Sequence, residues 1–317
     1  MKDARKTIMS VTEPLLLIAF NRPDHFEQLI ERLRESRPER IYVAVDGPRP
    51  DRADDVEKVF RTRRLIDTID WTPDVHVLAQ DENLGCGVGV STALTWFFDQ
   101  EERGIVLEDD ILPQSSFFDF CSELLDRYAD DERVQAISGC NFVPPEFQSR
   151  PDLPYRFSRV PHIWGWATWR RSWALHSLDM SNWRDRISRK QLWDASGRSL
   201  QGMLFWRSIF DLLARDQIDT WDMQYTFEAM ARGMSTATSN VNLVDNIGFG
   251  AGATHTEIRP PYLRMSENIG IPLAPVPVEV DEKADAWSRT HVFQATTGGM
   301  AAQGFRYLKR KFRRQST

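Results

Sequence analysis

The 317-residue sequence is poor in cysteine and contains no long apolar run. Its three cysteines, Cys86, Cys121 and Cys140, lie far apart and form no CxxC pair, which argues against a disulfide scaffold or a cysteine zinc site. No apolar run approaches the ~20 residues that a membrane-spanning helix needs. Residues 1–12 are charged and lack the apolar core of a signal peptide. We therefore expect a cytosolic (cytoplasmic) protein.

The sequence also has fewer basic than acidic residues, and its formal net charge is −6. General nucleic-acid binders are usually basic, so no nucleic-acid partner is expected. Residues 305–314 are the exception: they are basic, and Phe305, Leu308 and Phe312 share one helical face. Such a segment suits peripheral contact with the inner face of an anionic membrane, while a solvated basic tail is the other interpretation.

The first half of the chain alternates short β-forming runs with segments of helical spacing. The runs recur about every 30 residues, the length of one βα unit. The predicted strands are Leu15–Phe20, Ile41–Val45, Val75–Leu78, Ile105–Leu107 and Val134–Ser138. The predicted helices contain Phe26 to Leu33 with Asp24 as N-cap, Val56 to Phe60, Val88 to Phe98, Phe117 to Leu125 and, later, Leu204 to Leu213. This alternation predicts an α/β fold, a mostly parallel, doubly wound sheet with helices on both faces that binds ligands at the carboxyl ends of its strands.

Three consecutive acids, Glu108, Asp109 and Asp110, follow the fourth predicted strand in "GIVLEDDILP". Adjacent like charges repel, so a positive group should offset them. Carboxylates are hard oxygen ligands that suit Mn²⁺ or Mg²⁺, often together with substrate phosphates. The motif predicts a metal site that stabilises a departing diphosphate, and a solvated acidic turn is the alternative.

Polar residues also follow the first two predicted strands. Arg22, just after Phe20, can contact a base or phosphate, and Asp46 can accept hydrogen bonds from a base or ribose. Structural alternatives exist for both, because Asp46–Gly47 makes an ordinary turn and Arg22 can pair with Asp24. Together with the acids, these residues predict one cleft at the strand ends.

Residues 81–89, "DENLGCGVG", form a glycine-rich loop before a helix. Such a loop lets a nucleotide sugar approach the backbone amides closely, which makes Asn83 and Gly85 candidate binding residues. The loop is not a P-loop, since no Gly-Lys-Ser/Thr follows, and it lacks the rest of a dinucleotide fingerprint.

The segments "LLLIAFNRPDH", "IYVAVDGPR", "ENLGCGVGV", "GIVLEDDILP" and "WGWATWRRSW" resemble GT-A-fold glycosyltransferases, in particular bacterial relatives of the alpha-1,3-mannosyl-glycoprotein N-acetylglucosaminyltransferases. The resemblance covers approximately residues 14–256. It implies a Rossmann-like GT-A fold in which Asp110 binds Mn²⁺, Asp109 and Glu108 contact the ribose and nucleotide, and Arg22 and Asp46 bind the nucleotide.

Asp222, in "WDMQY", is the predicted catalytic base because the family carries its catalytic aspartate in a similar segment. The family has two adjacent acids, whereas Met223 stands in the second place here. An apolar neighbourhood would raise the proton affinity of such a carboxylate. A helix-capping or ion-pairing aspartate is the alternative, and Glu228 and Asp245 are the next candidates.

A tryptophan-dense stretch and a late histidine complete the candidate site. Indole faces suit sugar rings, so Trp164 and Gly165 are expected near the ligand, with Trp169 and Trp173 packed inside. The resemblance also implies that a late histidine, His255, contacts the metal or the diphosphate, although a lone histidine is more often structural.

The sequence thus predicts a metal-dependent glycosyltransferase, and the resemblance implies that it inverts the anomeric carbon. By resemblance it takes a UDP-sugar as donor and a carbohydrate or lipid-linked carbohydrate as acceptor, as in polysaccharide biosynthesis. Residues 1–140 would bind the nucleotide sugar, residues 141–260 the acceptor, and residues 261–317 would be an extension. One alternative is a sugar nucleotidyltransferase, disfavoured because "FNRPDH" replaces the glycine- and basic-rich loop expected there. The other is a nucleotide-sugar-binding protein without turnover, which Met223 keeps open.

Overall fold

The computed structural model describes residues 11–249 and 259–299. The strands are β1 (Leu15–Ala19), β2 (Arg40–Val45), β3 (Asp74–Ala79), β4 (Arg103–Glu108), β5 (Ile111–Pro113), β6 (Val134–Ser138), β7 (Tyr155–Ser158), β8 (Trp166–Trp169), β9 (Ser235–Ser239) and β10 (Val244–Asn246). The helices are α1 (Pro23–Ser36), α2 (Ala53–Leu65), α3 (Gly85–Phe98), α4 (Ser115–Arg127), α5 (Arg170–Trp173), α6 (Trp183–Arg186), α7 (Arg189–Ala195), α8 (Leu200–Leu213), α9 (Asp222–Arg232) and α10 (Glu282–His291).

Eight strands form one mixed sheet in the order β3-β2-β1-β4-β8-β6-β9-β7. β1 pairs in parallel with β2 and β4, β2 with β3, and β6 with β9. β8 runs antiparallel to both of its neighbours, and β7 is antiparallel to β9. The expected α/β class with a mostly parallel sheet is confirmed.

Helices pack on both faces of this sheet. Successive side chains of a strand point to opposite faces, so β1 contributes to two separate clusters. Leu15 and Leu17 of β1 belong to a cluster that includes Phe26 of α1, Val59 of α2 and residues of α4. Leu16, between them, belongs to a second cluster with residues of α3 and α9. A third cluster joins α6, α7 and α8 to α9.

The expected elements of the first half are all present, with two local differences. Asp24 is not the N-cap of α1: the helix begins at Pro23 with Arg22 as N-cap, and Asp24 lies in the first turn. Proline suits the first helical position because its missing N–H would have no intrahelical partner there. On α2, Val59 is buried, whereas the neighbouring apolar residues Val56 and Phe60 are exposed.

The tryptophan-dense stretch contributes strand β8, which the sequence did not predict. It lies between β4 and β6 and aligns Ala167 with Ile105 on one side and Ile137 on the other. A strand from the second half therefore lies inside the sheet formed by the first half. Residues 1–140 and 141–260 accordingly share one core wherever the structure describes them.

Part of the segment between β10 and α10 packs against α4. The Leu273 amide donates to Glu123 at 2.9 Å, and Arg127 Nη2 donates to the Leu273 carbonyl at 2.8 Å. Residues 305–314 lie outside the described residues. Within the described residues, none of the helices has the length and apolar character needed to cross a membrane.

Candidate functional site

The three acids lie where β4 ends, partly enclosed by the loop after β1. Asp109 and Asp110 are 6% and 9% exposed. Arg22 Nη1 is 2.7 Å from Asp110 Oδ2 and 3.3 Å from Asp109 Oδ1. The amide of Phe20 donates to Asp109 Oδ2 at 3.3 Å. The structural alternative, in which Arg22 pairs with Asp24, does not occur among the described contacts. Asp24 pairs with Arg61 instead.

Burial and mutual repulsion make this cluster hold protons strongly. Burial raises the pKa of Glu108 to about 8, and Asp110 and Asp109 add to the shift. Burial, followed by the charge of Asp110, likewise raises the pKa of Asp109 to about 7, although Arg22 opposes the shift. A single guanidinium therefore does not neutralise the cluster, and a further cation would be stabilised there.

Asp46, at the end of β2, holds the following loops together. Its Oδ1 accepts from the amides of Gly47 and Leu84 at 2.8 and 2.9 Å, and its Oδ2 accepts from Asn83 Nδ2 at 2.8 Å. Burial raises the pKa of Asp46, and the backbone donors oppose the shift. Asp46 and Asn83 line the same cleft as the acids, so both can face a ligand while they fix the loop geometry.

The glycine-rich loop starts α3, but an internal carboxylate occupies two of its amides. Asp219 accepts from Cys86 N at 3.1 Å and from Gly87 N at 2.7 Å. Gly85 has φ +79°, and an added Cβ would lie 2.8 Å from Asp219 Oδ2. In this structure these two amides therefore bind Asp219, a residue that the sequence analysis missed. An acid before the Trp221–Asp222 pair was the only sequence signal for it.

A second missed element is the segment that follows β10. β10 pairs antiparallel with β5, which continues directly from the acids, and this pairing aligns Asn246 with Ile111. The Ile247 amide then donates to the Asp110 carbonyl at 2.9 Å, and the Gly248 amide donates to Asn246 Oδ1 at 2.7 Å. Gly248 lies against the Asp110 carboxylate so closely that an added Cβ would overlap it.

Of the two residues expected near a ligand, Trp164 lies at the cleft and Gly165 does not. Trp164 lines the cleft and contacts Phe249 edge to face, with ring centroids 5.9 Å apart. Trp169 and Trp173 are buried. Gly165 has φ +64° and is not among the lining residues; an added Cβ would lie 2.6 Å from Val244 Cγ1. Its role in this structure is to let the backbone turn tightly against β10.

Asp222 is half-buried at the first position of α9 and accepts a hydrogen bond from Thr220 Oγ1. Its charge raises the pKa of Glu108, so it lies near the acid cluster, although Asp219 rather than Asp222 lines the cleft. The two other candidate bases have structural partners. Glu228 is buried and pairs with Arg186, and Asp245 accepts from the Ser266 amide at 3.0 Å.

Among residues 11–249 and 259–299, no three His, Cys, Asp or Glu side chains are already arranged to hold a metal. His255 lies outside the described residues. The donor chemistry nevertheless suits a hard divalent cation, because Asp109 and Asp110 present buried carboxylate oxygens. Arg22 contacts the same oxygens, so a metal and Arg22 would compete for them.

These strand ends surround one cleft of about 910 Å³. Its lining includes most of the predicted binding residues: Phe20, Arg22, Asp46, Asn83, Gly85, Glu108, Asp109, Asp110 and Trp164. It also includes Arg49, Arg52, Asp219, Asn246 and Phe249, which the sequence analysis did not select. Arg49 is fixed by buried Asp55 at 2.6 Å and lies over the Phe20 ring at 5.3 Å.

Comparisons with known proteins find likenesses among solved structures. No protein-family model matches the chain, and no curated protein matches it. HddC from Yersinia pseudotuberculosis is 11% identical with a TM-score of 0.31, over 50% of this chain and 78% of its own. The inositol-1-phosphate CTP transferase from T. maritima is 10% identical with a TM-score of 0.36, over 73% of this chain and 86% of its own. Likenesses this loose carry no argument about activity.

Proposed function

We propose that the protein is a glycosyltransferase that binds a nucleotide-diphosphate sugar at the carboxyl ends of β1, β2 and β4 and transfers the sugar to a carbohydrate acceptor. The observation that supports this most is the meeting of Arg22, Asp46 and the acids 108–110 in one cleft. Each follows a different parallel strand, and ligands of such sheets bind at this edge.

The size and lining of the cleft support a nucleotide sugar as the ligand. Its volume, about 910 Å³, lies within the ~300–1,000 Å³ typical of ligand pockets. In the proposal, Asp46 and Asn83 face the base or ribose, and Arg22 faces the diphosphate. Trp164 and Phe249 offer apolar ring faces to the sugar.

Asp110, with Asp109, would hold a divalent cation, Mn²⁺ or Mg²⁺. When bound, such a cation supplies positive charge that offsets the diphosphate and the acid cluster. Among the described residues, Arg22 is the cation that contacts these carboxylates, and it would be available to the phosphate oxygens of a bound donor.

Asp222 is the proposed base. The acceptor hydroxyl would give its proton to the Asp222 carboxylate while its oxygen bonds to the anomeric carbon. The bond from that carbon to the phosphate oxygen breaks, and the nucleoside diphosphate leaves with the electron pair. Attack opposite the leaving group inverts the anomeric carbon.

Binding of nucleoside diphosphates tests the donor site. Calorimetry with UDP, GDP, CDP and dTDP, each with and without Mn²⁺, should show preferential, Mn²⁺-dependent binding of one of them, with UDP expected. Asp110→Ala should abolish the Mn²⁺ dependence. Absence of binding to all four nucleotides under both conditions would reject the proposal.

Asp222→Asn tests turnover separately from binding. The variant should keep nucleotide affinity and lose donor-sugar hydrolysis or transfer by at least about 100-fold, the lower range for a general base. Asp245→Asn, at an acid held by Ser266, should retain turnover. Equal activity of Asp222→Asn and the parent would exclude Asp222 as the base. If the parent itself shows no turnover, the alternative of a nucleotide-sugar-binding protein is favoured.

Nucleotidyl transfer is the second candidate. Three arginines, Arg22, Arg49 and Arg52, line the cleft, and this much positive charge suits a triphosphate. The products decide: pyrophosphate release from a nucleoside triphosphate and a sugar phosphate indicates nucleotidyl transfer, and nucleoside diphosphate release indicates glycosyl transfer.

A further inference from the structure

A second, smaller cavity opens beside the cleft, between the start of α1 and α2. Its volume is about 240 Å³. Four of its lining residues, Asn21, Arg22, Gly248 and Phe249, also line the large cleft. The remaining five are Pro23, Asp24, His25, Lys58 and Arg61. We call these nine residues the side pocket. A molecule bound there would lie next to the acid cluster, with Arg22 between the two sites.

The side pocket is rich in positive charge. Arg22, Lys58 and Arg61 line it against one carboxylate, Asp24. Lys58 pairs with Asp54 at 2.6 Å, and Arg61 pairs with Asp24 at 2.8 Å. All four of these side chains are exposed, and exposed ion pairs contribute little to stability, whereas Arg22 is paired with Asp109 and Asp110. An anion with several oxygen acceptors can therefore recruit both cations at little cost.

His25 adds a polar atom that this fold leaves without a partner. Its Nδ1 is buried, and no hydrogen-bond partner for it occurs among the described residues. A buried polar atom without a hydrogen-bond partner destabilises the folded protein. In the orientation shown Nδ1 has no exposed surface, so the ring must rotate before its Nδ1–H can donate to a ligand oxygen in the side pocket.

From these three observations we propose that the side pocket binds a phosphate group carried by the second substrate. The identification of this ligand as a second substrate rests on the proposed function. The binding of a phosphate group in the side pocket does not. Two sources share this chemistry: a monophosphate, as on a sugar phosphate, and a diphosphate, as in the linkage of a lipid-linked carbohydrate. The reacting group of such a substrate would face the large cleft across Arg22.

Calorimetry of the full chain in metal-free buffer tests this, with inorganic phosphate and pyrophosphate as probes. Lys58→Ala/Arg61→Ala should weaken binding of the preferred probe by at least about 10-fold, since two charge-assisted contacts are lost. His25→Phe should also weaken it. The matched control is Lys190→Ala/Arg198→Ala, whose cations pair with exposed Asp194 on α7, and it should bind like the parent.

Preference for pyrophosphate would indicate a diphosphate-linked substrate, and preference for phosphate a monophosphate. No binding of either probe to the parent, or equal affinity in the parent and Lys58→Ala/Arg61→Ala, overturns the side-pocket proposal. UDP binding with Mn²⁺ is measured on the same variants and should be unchanged. If the parent protein does not bind UDP, the donor site alone is rejected, so the two failures are distinguishable.

Discussion

Gly248 sets how closely the chain can approach Asp110. The residue has no side chain, and its neighbours are fixed by the Ile247–Asp110 and Gly248–Asn246 hydrogen bonds. A Cβ at this position would overlap the carboxylate that is expected to hold the metal. A glycine is therefore required at this position because any larger residue would displace the Asp110 carboxylate or the backbone.

Gly248→Ala should weaken Mn²⁺-dependent UDP binding by at least about 10-fold, or ~1.4 kcal/mol, because Asp110 or the backbone must move. Calorimetry measures this. The control is Gly270→Ala, where an added Cβ meets nothing within 4 Å, and it should bind UDP like the parent. If Gly248→Ala also binds like the parent, Asp110 does not need its present position.

Phe20 and Arg49 show that the cleft is shaped by residues whose own positions are fixed elsewhere. Arg49 is held by Asp55, which also accepts from Asn21 Nδ2 at 2.7 Å. The guanidinium of Arg49 lowers the pKa of Asp55 to about 2. The wall of the cleft at Phe20 and Arg49 therefore depends on a buried carboxylate, Asp55, that does not itself line the cleft.

At the scale of elements, helix α3 is capped by a residue from a remote part of the chain. Its own N-cap residue, Leu84, provides no side-chain acceptor. Asp219 supplies both carboxylate oxygens to the first-turn amides, and a carboxylate is also favoured by the dipole at this helix end. The cap links the glycine-rich loop to the segment that leads into α9.

Asp219→Ala should lower the free energy of unfolding by about 1 kcal/mol, in the range of ~0.5–2 for a lost cap. Urea denaturation measures this as a lower midpoint at an unchanged slope. Asp219→Asn keeps one acceptor oxygen and should lose less. A parent-like midpoint for Asp219→Ala would show that water replaces the cap without cost.

At the scale of the whole molecule, a buried histidine, His162, and a half-buried one, His176, make stability depend on pH. Burial lowers the pKa of His162 to about 3, with Arg156 adding to the shift, and burial lowers that of His176 to about 4. His162 packs between Phe142 and Phe293, and His176 stacks on Trp173. Both are therefore neutral in the folded protein near pH 7.

The unfolded chain binds protons to these histidines below pH ~6.5, whereas the folded protein does so only below about 4 and 3. Their contribution to stability is therefore fully present above pH 6.5 and is lost as the pH falls. Between pH 6 and 4, His162→Phe should reduce the slope of unfolding free energy against pH by about 1.4 kcal/mol per unit. Urea denaturation across this range measures it, and parallel slopes would contradict it.

The sequence by itself determined the α/β class, the first-half elements and most residues of the cleft. It could do so because strand and helix periodicity are local, and because parallel strands bring their carboxyl ends to one edge of the sheet. Arg22, Asp46 and the acids 108–110 each follow such a strand. Their shared position was therefore implied by the order of the elements.

Tertiary structure alone decided the contacts between segments that are distant along the chain. Strand β8 entered between β4 and β6, Asp219 capped α3, and Gly248 closed on Asp110 through the pairing of β10 with β5. It also placed Gly165 against Val244 instead of in the cleft. These contacts depend on which surfaces pack together, and no periodicity within one segment specifies its partner.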